Sequence, residues 1–197
     1  MPKLVDSDER REFIAKIAAE LIAEEGIEKA TIREIAKRAG ATRGLVEHHF
    51  RNKAEMIELA LDWTNRRYLQ RERQQLKDKR GLAALRARLS CLLPVNPTAK
   101  QEWRMRLRFW SSPDKAVQAV QRSRLTETRR LFQAHIAEAI ALGEVPPATD
   151  TAVSAERLLH SVAGLSANAL VDGGHYSKAH LQAELEALLE RLRAGAL

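Results

Sequence analysis

Apolar residues in the first part of the chain recur three and four positions apart. Phe13, Ile14, Ile17, Ala18, Leu21 and Ile22 form one such stripe, the spacing that lines one face of a helix. It predicts a helix over 7–25, with Ser7 or Asp6 as N-cap, acidic residues in its first turn and Gly26 closing it. A second stripe, Ile32, Ile35, Ala36 and Ala39, predicts a helix opening at Thr31 and stopping at Gly40. Thr31-Ile32-Arg33-Glu34 is a capping box, in which hydroxyl and carboxylate reciprocally satisfy free backbone N–H groups. A short third helix follows from 42 to about 50. Asn52-Lys53-Ala54-Glu55, a second capping box, then opens a long fourth helix to about 77, with Met56, Ile57, Ala60 and Leu61 continuing the core.

Five more helices are expected at 82–93, 98–111, 113–142, 150–171 and 177–193, separated by Gly- and Pro-containing breaks. No strand alternation, internal repeat or low-complexity tract interrupts them. The expected fold is all-α, with about nine helices. Residues 1–53 form a three-helix module packed on the start of the fourth helix, and 54–197 form a larger helical domain.

Composition narrows this picture. Hydrophobic residues make up 45% of the chain and charged residues 30%, enough for a sizeable core beneath exposed helix faces. The single cysteine, Cys91, beside Leu92 and Leu93, reads as a buried structural thiol and excludes an internal disulfide. The start lacks the apolar stretch of a signal peptide, and no run of 18 apolar residues would span a membrane, so a cytoplasmic location is expected. Nucleophile elbow, metal-ligand spacing and Gly-rich phosphate loop are all absent. No catalytic residue, metal or cofactor is therefore expected, and the chain reads as a non-enzyme.

The net charge is +7, with a pI near 9.8, which invites a polyanionic partner. The charge is uneven. Residues 33–53 carry six basic side chains (33, 37, 38, 43, 51 and 53) against Glu34 and Glu47. Residues 64–108 carry thirteen basic and three acidic ones, read as the solvated face of long helices. Residues 6–28 are acidic overall.

The sharpest motif runs from Thr31 to Phe50. A helix with a small residue, Ala36, meets a turn at Gly40. A second helix turns Val46 inward and closes on Phe50. Ala36 permits a close crossing, and Gly40 supplies a turn conformation that a Cβ resists. Such a helix-turn-helix offers its second helix to the DNA major groove.

From Phe13 to Leu61 the chain resembles the TetR family of bacterial transcription regulators. The resemblance rests on Thr31-Ile32, Ile35-Ala36, Ala39-Gly40, Gly44, His48 with Phe50, and Asn52-Lys53 followed by Met56. It implies that Thr31 caps the first helix of the pair and touches phosphate, and that Thr42 caps the reading helix beside the backbone. Arg43 is implied to read a guanine edge. Gly44 would allow close approach and Leu45 would meet a thymine methyl. His48 and His49 would grip phosphate, as would Lys53 with a helix N-terminus behind it. Glu47 departs from the family, where Tyr or Ser is common. Its carboxylate either accepts from a cytosine amino group or repels phosphate.

The same resemblance implies an effector pocket and a homodimer in the remaining residues, acting on a palindromic operator as a repressor released by a small molecule. Leucine stripes agree with a dimer. Leu158, Val162 and Leu165 on one helix, with Leu181, Leu185 and Leu188 on the next, could build a four-helix seam with a second copy. Phe109-Trp110-Ser111-Ser112 and Ala163-Gly164-Leu165 are similar to the choline-responsive repressor branch, where aromatic rings hold a quaternary ammonium. Arginines at 104, 106 and 108, and Ala163 in place of an expected acid, favour an anionic or apolar effector instead. The candidate pocket residues are Trp103, Arg106, Phe109, Trp110, His135 and Asn168. An effector-independent, nucleoid-type DNA binder using the second basic zone is the alternative, separated from a regulator by its weaker sequence preference.

Overall fold

The computed structural model describes the backbone of residues 3–50 and 52–197, and side chains from residue 7 onward except 51 and 116. Arg51, counted above among the basic residues, lies outside them. The described residues form nine α-helices: α1 (Lys3–Glu25), α2 (Ile32–Ala39), α3 (Arg43–His49), α4 (Lys53–Leu76), α5 (Gly81–Leu92), α6 (Pro97–Trp110), α7 (Lys115–Ala141), α8 (Thr151–Val171) and α9 (Lys178–Arg193). None is long and apolar enough to cross a membrane. Helix α1 starts at Lys3, so Asp6 and Ser7 fall inside the helix and neither caps it.

The chain divides into two compact units. The first extends to Gln70 and includes Arg104–Arg108; the second holds Arg71–Trp103 and Phe109–Leu197. The first unit thus runs most of the way along α4, beyond the boundary expected at 53.

In the first unit α2 packs against both α1 and α3. Ile14, Leu21, Ile22, Ile35, Val46, Phe50 and Met56 are at most 1% exposed and make its core. Ion pairs reinforce the packing. Arg38 of α2 reaches the end of α1, pairing with Glu24 at 2.6 Å and also with Glu25. Arg11 of α1 donates to Glu55 of α4 at 3.1 Å. The acidic end of α1 is thereby fastened to the basic end of α2.

In the second unit α5 packs on α7, α8 and α9, and α8 packs on α7 and α9. Leu85, Leu89, Phe109, Phe132, Ile136, Leu158 and Leu192 are fully buried. Short side chains cap these helices: Asp150 accepts from Ala152 and Val153 N–H, and Ser177 from His180 N–H. The start of α5 is capped from afar. Glu138 accepts from Gly81 N–H at 2.9 Å, and Glu144 from Leu82 N–H at 2.8 Å.

Two glycines sit at positive φ for different reasons. Gly40 (φ +62°) ends α2, with open space where a Cβ would stand. Gly81 (φ +49°) starts α5, and a Cβ there would lie 2.2 Å from Glu144 Oε2. Gly40→Ala should therefore cost about 1 kcal/mol, the backbone strain alone. Gly81→Ala should cost about 2–3 kcal/mol, because it also pushes Glu144 off the Leu82 N–H. Denaturant unfolding of the two variants tests this; equal costs would mean that Glu144 relaxes freely.

Candidate nucleic-acid interface

Both helices of the motif are capped by threonine. Thr31 Oγ1 accepts from Glu34 N–H at 3.2 Å, and Thr42 Oγ1 accepts from Leu45 N–H at 3.3 Å. Capping uses a lone pair, so each hydroxyl can still donate to a phosphate oxygen. The reciprocal half of the first capping box is not made. Thr31 N–H bonds to Lys29 O, and Glu34 faces Lys37 at 3.9 Å instead. Between the helices Gly40 adopts the left-handed conformation, its N–H and that of Ala41 closing on the last turn of α2.

Helix α3 is anchored by one inward residue, Val46, and by Phe50 at its C-cap; both are at most 1% exposed. Arg43, Gly44, Glu47 and His48 are exposed, while Leu45 and His49 are half-buried. Nothing stands within 4 Å of the position a Gly44 Cβ would take, so that flank of α3 is open. Arg43, with its side chain 73% exposed, donates from Nε to Glu47 Oε1 at 2.7 Å.

The end of α3 is a cationic corner. The rings of His48 and His49 meet edge-on at 5.5 Å. Burial, then His48 and the guanidinium groups of Arg10 and Arg11, holds the His49 pKa below the ordinary imidazole value. Helix α1 thus contributes positive charge to this corner. The sequence reading assigned Arg10 and Arg11 no role, because their proximity to α3 is a tertiary fact. Helix α4 starts with Asn52 Oδ1 accepting from Glu55 N–H at 2.9 Å, and Lys53 Nζ donates to Glu28 O at 3.3 Å. Thr31, Thr42, Arg43, Gly44, Leu45, Glu47, His48, His49 and Lys53 all belong to this one unit.

The expected effector residues are not gathered in the same way. Arg106 belongs to the first unit, where its guanidinium lies over the Tyr68 ring at 5.8 Å. The other five belong to the second unit. Trp103 is buried and donates its indole N–H to Leu92 O, with Trp110 edge-on at 5.8 Å. Phe109 is fully buried, whereas Trp110 is 37% exposed. His135 is half-buried and accepts from Arg88 Nε at 3.2 Å; burial, then Arg88, lowers its pKa. Asn168 stands exposed, donating to Tyr176 Oη at 3.4 Å. A groove of about 730 Å³ over α4, α5 and α9, lined by Gln75, Lys79, Arg86, Gln182, Glu186 and Arg193 among others, includes none of the six.

The leucine stripes expected at the dimer seam also need correction. Leu158, Val162, Leu181 and Leu185 are at most 2% exposed, and Leu188 is 9% exposed. The first four pack within their own unit with almost no exposed area, while Leu165 is half-buried.

Four arginines of the second basic zone are held in ion pairs. Arg71 holds Glu102 through both terminal nitrogens at 2.6 Å. Arg88 pairs with the buried Glu72 at 2.9 Å, Arg80 with Glu138 at 2.7 Å and Arg86 with Glu186 at 2.6 Å. Cys91 is half-buried, and burial foremost raises its thiol pKa.

Comparison with known proteins agrees with this geometry. Residues 14–60 match the family described as bacterial regulatory proteins, tetR family, and residues 81–194 match the BetI-type transcriptional repressor C-terminal domain. The chain is 28% identical over 190 residues to the HTH-type transcriptional regulator BetI of Yersinia pestis, covering 90% of this chain and 89% of that one. A transcriptional regulator from Rhodococcus superposes with a TM-score of 0.78 at 28% identity, over 95% of this chain and 98% of that one. A regulator from Saccharomonospora viridis, solved in complex with choline, superposes with a TM-score of 0.85 at 22% identity, over 93% and 96%.

The lowered His49 pKa sets a pH dependence. The lowered pKa favours the neutral imidazole; if His49 grips phosphate as the sequence implies, the phosphate would favour the imidazolium and binding would take up a proton. Affinity should then rise as pH falls below neutrality, by at most roughly tenfold for each unit by which DNA raises this pKa. His49→Asn should flatten the rise; an unchanged slope would place His49 away from phosphate.

Proposed function

Because the chain belongs to the TetR family of bacterial regulatory proteins and carries a BetI-type repressor C-terminal domain, we propose that it represses transcription as a homodimer on a palindromic operator and leaves the DNA when a small molecule binds. The observation that carries this reading is the presentation of α3. One buried residue anchors the helix, both helices of the pair are capped by threonine, and Arg43 stands exposed at the start of α3. In this reading Arg43 reads a guanine edge and Leu45 meets a thymine methyl. Thr31, Thr42, His48, His49 and Lys53 hold the phosphates on either side. Acting on DNA places the protein in the cytoplasm.

The dimer seam is assigned to the outward faces of α8 and α9, since their leucines are spent inside the unit. Val153, Arg157, His160, Gly164, Ala167 and Val171 recur every three to four residues, and none is buried. Ala179, Ala183 and Ala187 are exposed on α9. Small residues at that spacing let helices of two copies approach closely across a two-fold axis. The homodimer typical of the family, with two reading helices about 34–36 Å apart, would then engage successive major grooves.

The effector is a small molecule bound by the second unit. The choline of the Saccharomonospora structure makes a quaternary ammonium the first compound to test. The Arg88 guanidinium, which donates to both Glu72 and His135, makes a small carboxylate the second. The ion pairs of Arg71, Arg80, Arg86 and Arg88 withdraw four of the thirteen basic side chains from a nonspecific DNA coat over the second basic zone.

Selection of bound DNA from a random pool, followed by release assays with choline and with carboxylates, tests the whole reading. One palindrome should bind at least ~10³-fold more tightly than random DNA. Lys53→Ala should weaken every sequence alike and reduce the salt slope by about one. Sedimentation showing a monomer at micromolar concentration would undo the dimer, and Lys53→Ala acting on a single sequence would undo its phosphate role.

A further inference from the structure

Glu47 has no assigned role, and at first sight it is misplaced. It adds a negative charge, 42% exposed, to a helix offered to a polyanion. The carboxylate is not directed at solvent alone. Its Oε1 accepts from Arg43 Nε at 2.7 Å, one helical turn back, on the face of α3 that carries the exposed arginine.

The chemistry of that one bond is specific. A guanidinium can present two different pairs of N–H groups: a side edge, using Nε and one terminal nitrogen, or the end, using both terminal nitrogens. With Nε occupied by Glu47, the side edge is spent and the end remains. The end is a fork of parallel donors, the shape that matches guanine O6 and N7 in the major groove. The same carboxylate opposes the competing fate of a long cation at a DNA surface. A free Arg43 could swing to a phosphate and give up sequence information. A carboxylate tied to it is repelled by phosphate, so the pair is drawn towards the base edges.

We propose that Glu47 is a positioning residue for base reading: it holds Arg43 by Nε so that both terminal nitrogens face one guanine, and it touches no base itself. The proposal rests on Arg43 reading DNA, as stated above. It does not need the pair to stabilise the fold. An exposed pair one turn apart contributes little to stability in water, so its removal leaves a folded chain. Its effect appears in the groove, where water is excluded and a prearranged side chain loses less freedom on binding.

The test is selection from a random DNA pool with wild type, Glu47→Ala, Glu47→Gln, Arg43→Ala and the Arg43→Ala/Glu47→Ala double variant. Glu47→Ala should lower the preference for one base pair per half-site by roughly five- to tenfold. That base pair should be the one that Arg43→Ala relaxes, and the double variant should be no less selective than Arg43→Ala. Glu47→Gln keeps an acceptor oxygen for Nε and should retain most of the preference, which separates positioning from charge. Three results would overturn the proposal while leaving the DNA-binding reading intact. Glu47→Ala could relax a different base pair, marking Glu47 as a reader in its own right. Both Glu47 variants could raise affinity for all sequences equally, reducing its role to repulsion. Or base preference could be untouched. A wild-type chain that selects no sequence at all would instead overturn the DNA reading, and this inference with it.

Discussion

The burial of Val46 governs what α3 can present. A helix turns about 100° per residue, so fixing one residue against the core fixes the direction of every other. With Val46 inward, Gly44 and His48 come out opposite it. Arg43 and Glu47 share one flank, and Leu45 and His49 share the other. Exposure follows this geometry: the Arg43 flank is exposed, while Leu45 and His49 are half-buried. Phe50 fixes the far end and the Gly40 turn fixes the near one, so the roll, the start and the end of a seven-residue helix are each determined by one buried or strained residue. So short a helix has little stability of its own. It holds its shape because the unit around it does.

Charge is handled differently in the two units. In the first, ion pairs such as Arg38 with Glu24 and Arg11 with Glu55 lock the packing of helices. At the end of α3 the rings of His48 and His49 meet edge-on, and His49 feels the charge of Arg10 and Arg11. In the second, Arg88 with Glu72 and Arg71 with Glu102 place charge inside a helical interior. A buried pair of that kind gives little net stability, but losing one partner leaves an uncompensated charge at high cost. Among the arginines of 64–108, Arg71 and Arg88 are internal fasteners, while Arg80 and Arg86 pair at exposed surface.

The helices were legible in the sequence because their signals are local. Threonine and asparagine caps, turn glycines and apolar spacing act within a few residues, and the helices they predict match the observed ones to within one or two residues from α2 onward. The start of α1 was misplaced because Ser7 resembles a cap although the helix continues through it. The all-α class and the reading module followed from the same signals, and the motif residues lie together because the motif is contiguous. What the sequence could not carry was direction across space. The stripes of α8 and α9 announce that leucines are buried, but not against what, and Leu158 and Leu181 turned out to face their own unit. The partners of Arg71 and Arg88 lie 31 and 16 residues away, beyond any local pattern.

The aromatic stretch of α6 shows how residue types can be shared without sharing a site. A quaternary ammonium is held by ring faces around a volume free of water and of other cations. Here Trp103 is committed: its indole N–H is bound by the Leu92 carbonyl, and its ring meets Trp110 edge-on. Phe109 is buried, so only Trp110 of the three offers substantial surface. Nearby in the sequence Arg104, Arg106 and Arg108 add positive charge, and Arg106 already lies over a tyrosine ring. With the Trp103 N–H satisfied and Phe109 buried, a cation entering here would meet Trp110 as the accessible ring face. An anionic ligand that reached Arg71 and Arg88 would have to compete with Glu102 and Glu72 for their N–H groups.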